Sequence, residues 1–273
     1  MKLKKILAAM TAMTMLMLGG CAGGSAGTGT ANPSGDASLQ KVLDSGEFVL
    51  GLDASFPPMG FTDENNNIVG FDIDVAQEVC DRMGVKLIKQ PIVWDAKEED
   101  LNAGRIDCIW NGLSVNPSRA EAMNLSDPYM ENEMIFVVPA NSEIKGIADL
   151  SGKTVGVQTG STAQEILEAA DFFSTIHETP LEDNVEALRQ MEMGFSDAVF
   201  MDSVVANYLI TSNGKDFVML EEGLEKEEYA IGFRKNDQAL CDEVQKQLSA
   251  MKADGKLGEI STKWFGSDVT TVK

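Results

Sequence analysis

The sequence has few basic residues and a single histidine. Lys and Arg together number 22 against 43 Asp and Glu in a chain of 273 residues, so the formal net charge is -21. A surface of this sign repels a phosphate backbone, and we therefore expect no nucleic-acid partner. The only histidine, His177, lies in an alternating segment at 174–179 that predicts a strand. We expect its imidazole to be structural or exposed.

Motifs of nucleotide-dependent enzymes and of serine nucleophiles are also missing. No G-x-x-x-x-G-K-[ST] loop occurs, and no G-x-S-x-G elbow follows a predicted strand. After Cys21 the cysteines are Cys80, Cys108 and Cys241, an odd number without C-x-x-C spacing. This pattern argues against a disulfide framework and against a zinc knuckle, although one bridge stays possible. We expect no cofactor and no metal ion.

The first 21 residues have the features of a secretory signal. Lysines at positions 2, 4 and 5 precede an apolar stretch at 6–18, which is shorter than the about 20 residues that a membrane-spanning helix needs. Leu18-Gly19-Gly20-Cys21 resembles a bacterial lipobox, in which the cysteine is diacylated and becomes the mature N-terminus. The resemblance implies a signal peptide at 1–20 and a lipid anchor at Cys21 on the outer face of the cell membrane. An ordinary cleavage site with an incidental cysteine is the alternative.

The segment at 21–38 predicts a flexible tether. Residues 22–38 are mainly Gly, Ala, Ser and Thr, and they include no Leu, Ile, Val or aromatic residue that could build a core. A tether holds the folded part near the membrane, and this suggests a partner in that membrane.

From residue 47 the sequence alternates short apolar runs with helical patterns, which is typical of the α/β class. We predict strands at 48–52, 85–94, 106–110, 134–138, 153–158, 174–179 and 197–201. We predict helices at 72–83, from an N-cap at Asp95 to about 104, from about 162, at 182–193 and at 237–253. In the last of these, Leu240, Val244, Leu248 and Met251 recur at helical spacing and predict a packed face.

A faint internal repeat divides the pattern into two halves. Gly104-x-x-Asp107 and Gly194-x-x-Asp197 each precede a predicted strand. We therefore expect two similar open α/β lobes, whose ligand groups lie beyond the carboxyl ends of their strands. The polar residues at those ends are Asp53, Asn111, Thr159 and Asp202.

The segment GFDIDVAQEVC at 70–80 resembles the signature of the extracellular solute-binding protein family 3, the polar amino-acid receptors of ABC importers. Further matches follow in the family order: GLDASFPP (51–58), GRID (104–107), NGLSVNPSR (111–119), SDPY (126–129), LSGKTVGVQTGST (150–162) and KWF (263–265). The resemblance covers residues 39–266 and implies a periplasmic-binding-protein fold, in which two crossovers join two α/β lobes around a ligand cleft. The implied first lobe comprises 39–131 and 230–273, and the second comprises 132–229.

The resemblance also implies how the carboxylate of a ligand is bound. Arg119 would grip the α-carboxylate of an amino acid with two parallel hydrogen bonds. In the sequence itself, Asn116 can cap a helix and Pro117 suits its first position, which sets Arg119 near a helix N-terminus. A loop of the second lobe, which opens another helix, can meet the same carboxylate. Its residues are Thr159, Ser161 and Thr162.

For the ligand's α-ammonium group, the resemblance implies a carboxylate and two neutral oxygens. Asp202 would pair with the ammonium, and Gly112 and Ser114 would share it through a carbonyl and a hydroxyl oxygen. A buried carboxylate needs such a partner. Asn111-Gly112 stands where a Ser-Ser pair is common in the family, so a hydroxyl contact becomes an amide contact.

Three further positions match residues around the ligand side chain in the family. Phe56 and Trp94 match two flanking aromatic residues, and Asp53 matches an acidic residue at the distal end. A small disulfide found in some relatives would need a second cysteine near position 87, which is Leu87 here. We therefore expect Cys80 to be a buried thiol.

Together these observations predict a monomeric binding protein that carries a free polar amino acid to the permease subunits of an ABC transporter. Asp53, the aromatic pair and the acidic surface slightly favour a cationic ligand such as arginine or lysine. The alternatives are an enzyme on the same fold, such as a dehydratase, and an amino-acid sensor or adhesin. A dehydratase would need a general acid or base aimed at its substrate, and only Asp53 and Asp202 are available for that task. We expect no enzymatic activity.

Overall fold

The computed structural model of the protein describes residues 35–273. The predicted signal peptide, the lipobox with Cys21 and most of the predicted tether lie outside the described residues. Within 35–273, no helix is both long and apolar enough to cross a membrane.

The last residues that we assigned to the tether belong to the fold. Asp36 accepts a hydrogen bond from the Ala239 N–H at 2.6 Å, and the Ser38 hydroxyl accepts one from the Leu240 N–H at 3.1 Å. The first N–H groups of a helix have no partner within the helix, and these two short polar side chains supply one. The prediction of a tether as far as residue 38 is therefore wrong at its end.

Nine α-helices occur in the described part of the chain. They are α1 (Ser38–Ser45), α2 (Phe71–Met83), α3 (Lys97–Asn102), α4 (Pro117–Ala122), α5 (Thr162–Ala169), α6 (Asn184–Glu192), α7 (Ser203–Asn213), α8 (Gln238–Ala253) and α9 (Lys256–Phe265). We did not predict α1, α7 or α9. The packed face of α8 is confirmed, since its four predicted apolar residues are all buried.

Thirteen strands occur in residues 35–273. They are β1 (Glu47–Leu52), β2 (Ser55–Phe56), β3 (Gly60–Thr62), β4 (Ile68–Val69), β5 (Lys86–Pro91), β6 (Cys108–Ser114), β7 (Asn124–Leu125), β8 (Met130–Pro139), β9 (Thr154–Gln158), β10 (His177–Leu181), β11 (Ala198–Asp202), β12 (Phe217–Met219) and β13 (Glu225–Phe233). β2, β3 and β4 form a small antiparallel sheet, and the others form one large sheet.

The large sheet has the order β10-β9-β11-β8-β13-β6-β1-β5, with β12 paired to β8 and β7 paired to β13. β5, β1 and β6 run parallel to one another, as do β10, β9 and β11. The long strands β8 and β13 pair antiparallel between these two trios, with Glu228 opposite Glu131. The fold is thus the predicted two-lobe α/β architecture, with the chain passing between lobes through β8 and β13.

The internal repeat has the same structural role in both lobes. The Asp107 carboxylate accepts a hydrogen bond from the Val49 N–H at 3.0 Å, and the Asp197 carboxylate accepts one from the Thr154 N–H at 2.8 Å. The backbone N–H groups of the same two aspartates donate back to Val49 and Thr154 at 2.7 and 2.8 Å. Asp107 directly precedes β6 and is hydrogen-bonded to β1, and Asp197 directly precedes β11 and is hydrogen-bonded to β9. Each aspartate therefore connects the start of one strand to the neighbouring parallel strand.

Residues around Trp94 depart from the predicted boundaries. β5 ends at Pro91, and a single 3-10 turn over Trp94–Ala96 leads directly into α3. Asp95 consequently lies inside the helical segment and not before it, so it does not cap α3. β6 is also shifted, because it runs from Cys108 to Ser114 where we predicted 106–110.

The described cysteines and the single histidine agree with the sequence. Cys80, Cys108 and Cys241 are free and buried, so the prediction of a buried Cys80 thiol is confirmed and the bridge left open is not formed. His177 begins β10 and is exposed.

Candidate functional site

The candidate site lies between the lobes, where the carboxyl ends of β1, β6, β9 and β11 meet. A small cavity of about 10 Å³ occupies this position, which is room for about one water molecule. Nine of the eleven predicted ligand-binding residues line it, together with Met134 and Gln158. The nine are Phe56, Trp94, Asn111, Gly112, Ser114, Arg119, Ser161, Thr162 and Asp202. Asp53 and Thr159 do not line it.

Direct hydrogen bonds join the lobes around this cavity. Gln158 Nε2 donates to Asp53 Oδ2 at 2.7 Å, and Lys97 Nζ donates to the carbonyl oxygen of Gly160 at 2.8 Å. Asn116 Nδ2 donates to Glu165 Oε2 at 2.9 Å. The lobes are therefore closed on each other, which explains the small volume of the cavity.

Arg119 is buried at this junction with part of its hydrogen-bonding capacity unused. The helix that carries it begins as predicted, since Asn116 Oδ1 accepts from the Arg119 N–H at 2.8 Å and Pro117 takes the first position. Arg119 Nη1 donates to the carbonyl oxygen of Ser114 at 3.0 Å, whereas Nη2 is buried without a partner. Burial lowers the pKa of Arg119, but an arginine side chain stays protonated in proteins. A buried cationic donor of this kind can bind an anion.

The N-terminus of α5 faces the same cavity from the second lobe. Ser161 caps the helix by accepting from the Gln164 N–H at 3.1 Å, and its hydroxyl donates to Gln158 O at 2.7 Å. Thr162 follows as the first helical residue, and its Oγ1 is buried without a partner. Thr159 has a different position, because its N–H donates to Leu181 O and thereby continues the pairing of β9 with β10.

Asp202 forms an anionic wall of the cavity. Tyr229 donates its hydroxyl to Asp202 Oδ1 at 2.6 Å, and Asn132 Nδ2 donates to the same oxygen at 2.9 Å. Burial raises the pKa of Asp202 to about 6, against the hydrogen bonds and the charge of Arg119, which lower it. Ser114 lies nearby, and its hydroxyl donates to Glu227 Oε1 at 2.8 Å.

Gly112 needs to be a glycine for two reasons. Its φ is +59°, a conformation that side chains with a Cβ rarely adopt, and a Cβ would lie 2.8 Å from the Phe56 ring. Its N–H donates to Asp72 Oδ2 at 2.9 Å, and the hydroxyl of Tyr129 donates to that oxygen at 3.0 Å. Asp72 is fully buried and thereby fixes the backbone on which the cavity is built.

At the other end of the cavity, Gln158 lies between the Asp53 carboxylate and the cavity. Asp53 Oδ1 accepts from the Ser55 N–H at 2.8 Å and its Oδ2 accepts from Gln158, so Gln158 separates the carboxylate from the cavity. Burial raises the pKa of Asp53 to about 6. Asn111 Oδ1 accepts from the Asp53 N–H at 3.1 Å, while Asn111 Nδ2 is buried without a partner.

Lys97 is a second buried cation that the sequence did not indicate. Its Nζ lies 5.2 Å from the centre of the Trp94 ring and donates to the carbonyl oxygens of Trp94 and Gly160. Burial, followed by the charge of Arg119, lowers the pKa of Lys97 to about 8.

Sequence reasoning also missed Gln158, Asn132 and Glu227. The one available signal was for Gln158, which ends a predicted strand just before the polar loop.

Two α/β lobes closed over a polar cavity at the ends of their strands are the architecture of the periplasmic-binding-protein fold. Comparison with known proteins identifies the family. Residues 48–267 match the profile of the bacterial extracellular solute-binding proteins, family 3, and the chain belongs to that family. Membership in this family implies a location outside the cytoplasm.

Individual relatives are similar over nearly their whole length. The L-cystine-binding protein TcyJ of Escherichia coli (strain K12) is 28% identical over 234 residues, which are 85% of this chain and 87% of that protein. The ABC uptake transporter substrate binding protein from Streptococcus pneumoniae with bound histidine is 37% identical, with a TM-score of 0.84 over 87% of this chain and 99% of that one. Tv2483 bound to L-arginine is 29% identical, with a TM-score of 0.83 over 87% of this chain and 98% of that one.

Proposed function

We propose that this protein binds one free α-amino acid between its lobes and delivers it to the permease of an ABC transporter. The observation that carries the proposal is that one closed cavity holds both an unpartnered guanidinium N–H of Arg119 and the buried carboxyl group of Asp202. An α-amino acid carries a carboxylate and an ammonium on one carbon, so it complements both groups at once. The relatives, which include an L-cystine-binding protein and a substrate binding protein with bound histidine, support the proposal.

In the proposed complex each end of the amino acid meets groups from both lobes. Arg119 and the N-terminus of α5 hold the carboxylate, while Asp202, Ser114 and the Gly112 carbonyl hold the ammonium. The cavity is too small for an amino acid, so the lobes separate to admit it and close by a hinge motion. We place the lobe boundaries at 131/132 and 229/230, inside β8 and β13.

Titration calorimetry with the twenty amino acids and L-cystine tests this proposal. Because both charged ends of the ligand become buried and paired, at least one amino acid should bind with micromolar affinity or better, about -8 kcal/mol. If none of them produces heat or raises the melting temperature, the proposal is wrong.

For the side chain of the ligand we propose a cationic group, as in arginine or lysine. Asp53 lies behind Gln158 at one end of the cavity, and a longer ligand that displaces Gln158 reaches its carboxylate. Phe56 and Trp94 offer apolar faces to the stem of such a side chain. The relative bound to L-arginine supports this choice, whereas the cystine-binding relative supports a ligand without net charge.

Competition between arginine, lysine, glutamine and cystine decides between these ligands. We expect arginine or lysine to win on the wild type, and Asp53→Asn to weaken their binding while glutamine binding stays the same. Glutamine winning on the wild type, with arginine binding unaffected by Asp53→Asn, would exclude a cationic ligand.

The geometry favours binding over catalysis. The carboxyl group that lines the cavity, Asp202, is held by Tyr229 and Asn132 beside the cation Arg119, an arrangement suited to charge pairing. We therefore propose that the protein is not a dehydratase, and incubation with prephenate and arogenate should yield no product. A permease gene beside the gene for this protein would favour transport over a role as sensor or adhesin.

For its attachment we propose a lipid anchor at Cys21. In the native host, Cys21→Ser should move the protein from the membrane fraction to the soluble fraction. We further propose that the protein acts as a monomer, which gel filtration with light scattering can check.

A further inference from the structure

Beside the proposed ammonium site lies a second carboxylate, that of Glu227 on β13. Its Oε1 accepts two hydrogen bonds, from Ser114 Oγ at 2.8 Å and from Asn132 Nδ2 at 2.7 Å. Asn132 is buried, and its Nδ2 also donates to Asp202 Oδ1. One amide group therefore bridges the carboxyl groups of Asp202 and Glu227.

The hydrogen bond from Ser114 determines what this hydroxyl can offer to a ligand. A serine hydroxyl has one proton and two lone pairs. Because the single hydroxyl hydrogen of Ser114 is donated in the hydrogen bond to Glu227, the Ser114 oxygen can act only as an acceptor toward the cavity. An acceptor at this point suits an ammonium group and disfavours a carboxylate.

We propose that Glu227 is a positioning residue for the ammonium group of the ligand. It accepts the hydrogen bond of the Ser114 hydroxyl and holds Asn132 against Asp202, so that Ser114 and Asp202 both present acceptor oxygens to the same cation. The inference rests on the proposed binding of an amino acid. It also implies that the arriving ammonium group displaces a proton from the Asp202–Glu227 pair.

The groups around Glu227 explain why the Asp202–Glu227 pair holds a proton before the ligand binds. Among charged groups, Asp202 on β11 and Arg119 on α4 act on it most strongly, and Ser114, Asn132 and Tyr229 complete the cluster. Burial, followed by the charge of Asp202, raises the pKa of Glu227 to about 8, whereas Arg119 lowers it. Glu227 Oε2 is buried without a partner, so no hydrogen bond stabilises a negative charge on this oxygen.

The direction of the pH effect follows from these groups. The raised pKa of Glu227 favours its protonated form near pH 7 in the ligand-free protein, whereas the positive charge of the ligand favours its ionised form. Binding therefore releases up to about one proton, and affinity rises by up to about tenfold per pH unit between pH 6 and 8.

Calorimetry at pH 7 in two buffers of different ionisation enthalpy measures the released protons directly. The probe is whichever of the twenty amino acids and L-cystine gives the largest binding heat on the wild type. We expect Glu227→Gln to lower affinity by about tenfold or more, to abolish proton release and to flatten the pH profile. Glu228→Gln, a change of the exposed neighbour on the same strand, should leave all three unchanged.

Two further variants separate positioning from a general effect on folding. Glu227→Asp keeps an ionisable group and should retain proton release with weaker binding, even if Glu227→Gln folds poorly. In a Ser114→Ala background, Glu227→Gln should cost less affinity than in the wild type, because part of its action passes through Ser114.

The outcomes distinguish this inference from the proposed function. A wild type that binds an amino acid while both Glu227 variants keep its affinity and its proton release would overturn the role of Glu227 alone. A wild type that binds none of the probes would overturn the proposed function and this inference with it.

Discussion

Arg119 gives the clearest indication of where a ligand binds, because it carries a buried donor without a partner beside the cavity. A buried donor without a partner costs about 1 to 3 kcal/mol, and a folded protein keeps few of them. Arg119 Nη2, Asn111 Nδ2 and Thr162 Oγ1 are all of this kind, and all three residues line one cavity. A ligand that supplies acceptors would satisfy these groups together.

We predict that Arg119→Lys severely weakens amino-acid binding and leaves the fold intact. Lysine keeps the charge but loses the planar fork of donors, and disrupting a buried charge pair costs about 2 to 5 kcal/mol. Calorimetry on the variant measures the loss, and Arg105→Lys, a change at an exposed arginine, is the control. An unchanged dissociation constant would show that the carboxylate is held elsewhere.

Asp72→Asn should change the pH dependence of stability. Burial raises the pKa of Asp72 to about 7, above its unfolded value of about 4. The folded protein therefore favours the protonated form, and the contribution of Asp72 to stability is full below about pH 4 and lost as the pH rises through 7. The loss is at most about 4 kcal/mol, and the neutral asparagine should avoid it.

Urea unfolding at pH 5 and pH 8 checks this expectation. Relative to the wild type, Asp72→Asn should gain stability at the higher pH, while Asp171→Asn at an exposed site should follow the wild type. If Asp72→Asn and the wild type keep a constant difference between the two pH values, Asp72 does not titrate in this range.

At the scale of elements, both lobes contain the same hydrogen bond between an aspartate and a neighbouring strand. In each parallel trio, the aspartate of a G-x-x-D motif is hydrogen-bonded to the neighbouring strand, and the repeat that suggested two lobes in the sequence is thus a structural feature.

The segment at 85–104 was less predictable. Apolar side chains at Ile92, Val93 and Trp94 look like a continuing strand, but the pairing partner β1 ends at Leu52, and the chain turns into a helix.

We predict that Asp197→Ala lowers the free energy of unfolding by about 1 to 2 kcal/mol, because it leaves the Thr154 N–H without its side-chain partner. Asp107→Ala should have a larger effect, since Asp107 also forms an ion pair with Arg234 at 3.2 Å. Denaturant unfolding measures both, with Asp171→Ala as the exposed control. Equal stability of Asp197→Ala and Asp171→Ala would contradict the proposed role of the repeat.

At the scale of the molecule, the closed arrangement depends on contacts that the sequence places far apart. Lys97 and Gly160 are 63 positions apart, and Asp53 and Gln158 are 105 apart. An aromatic contact also joins the lobes, since the Phe61 and Tyr208 rings lie 5.9 Å apart. Such contacts contribute to closure, so part of the affinity for a ligand should reside outside its direct contacts.

Lys97→Ala should therefore weaken binding by about fivefold through closure, since one hydrogen bond between the lobes contributes about 1 kcal/mol. Calorimetry gives the affinity, and small-angle scattering with saturating ligand should show a larger open fraction than in the wild type. Lys86→Ala, at an exposed lysine of the first lobe, is the control. Wild-type affinity in Lys97→Ala would mean that this bond is not needed for closure.

The sequence by itself determined the α/β class, the two lobes, the family and most of the residues around the cavity. These features depend on local periodicity, on turn and capping residues and on ordered motifs, all of which are written in adjacent positions. Only the tertiary structure decided that Gln158 stands between Asp53 and the cavity, that Lys97 joins the lobes and that Glu227 shares Asn132 with Asp202. These relations join residues on or next to β1, α3, β6, β8, β9, β11 and β13, and their partners lie up to 113 positions apart. No local pattern encodes which polar side chains will meet, because burial and pairing are settled only when the strands are assembled.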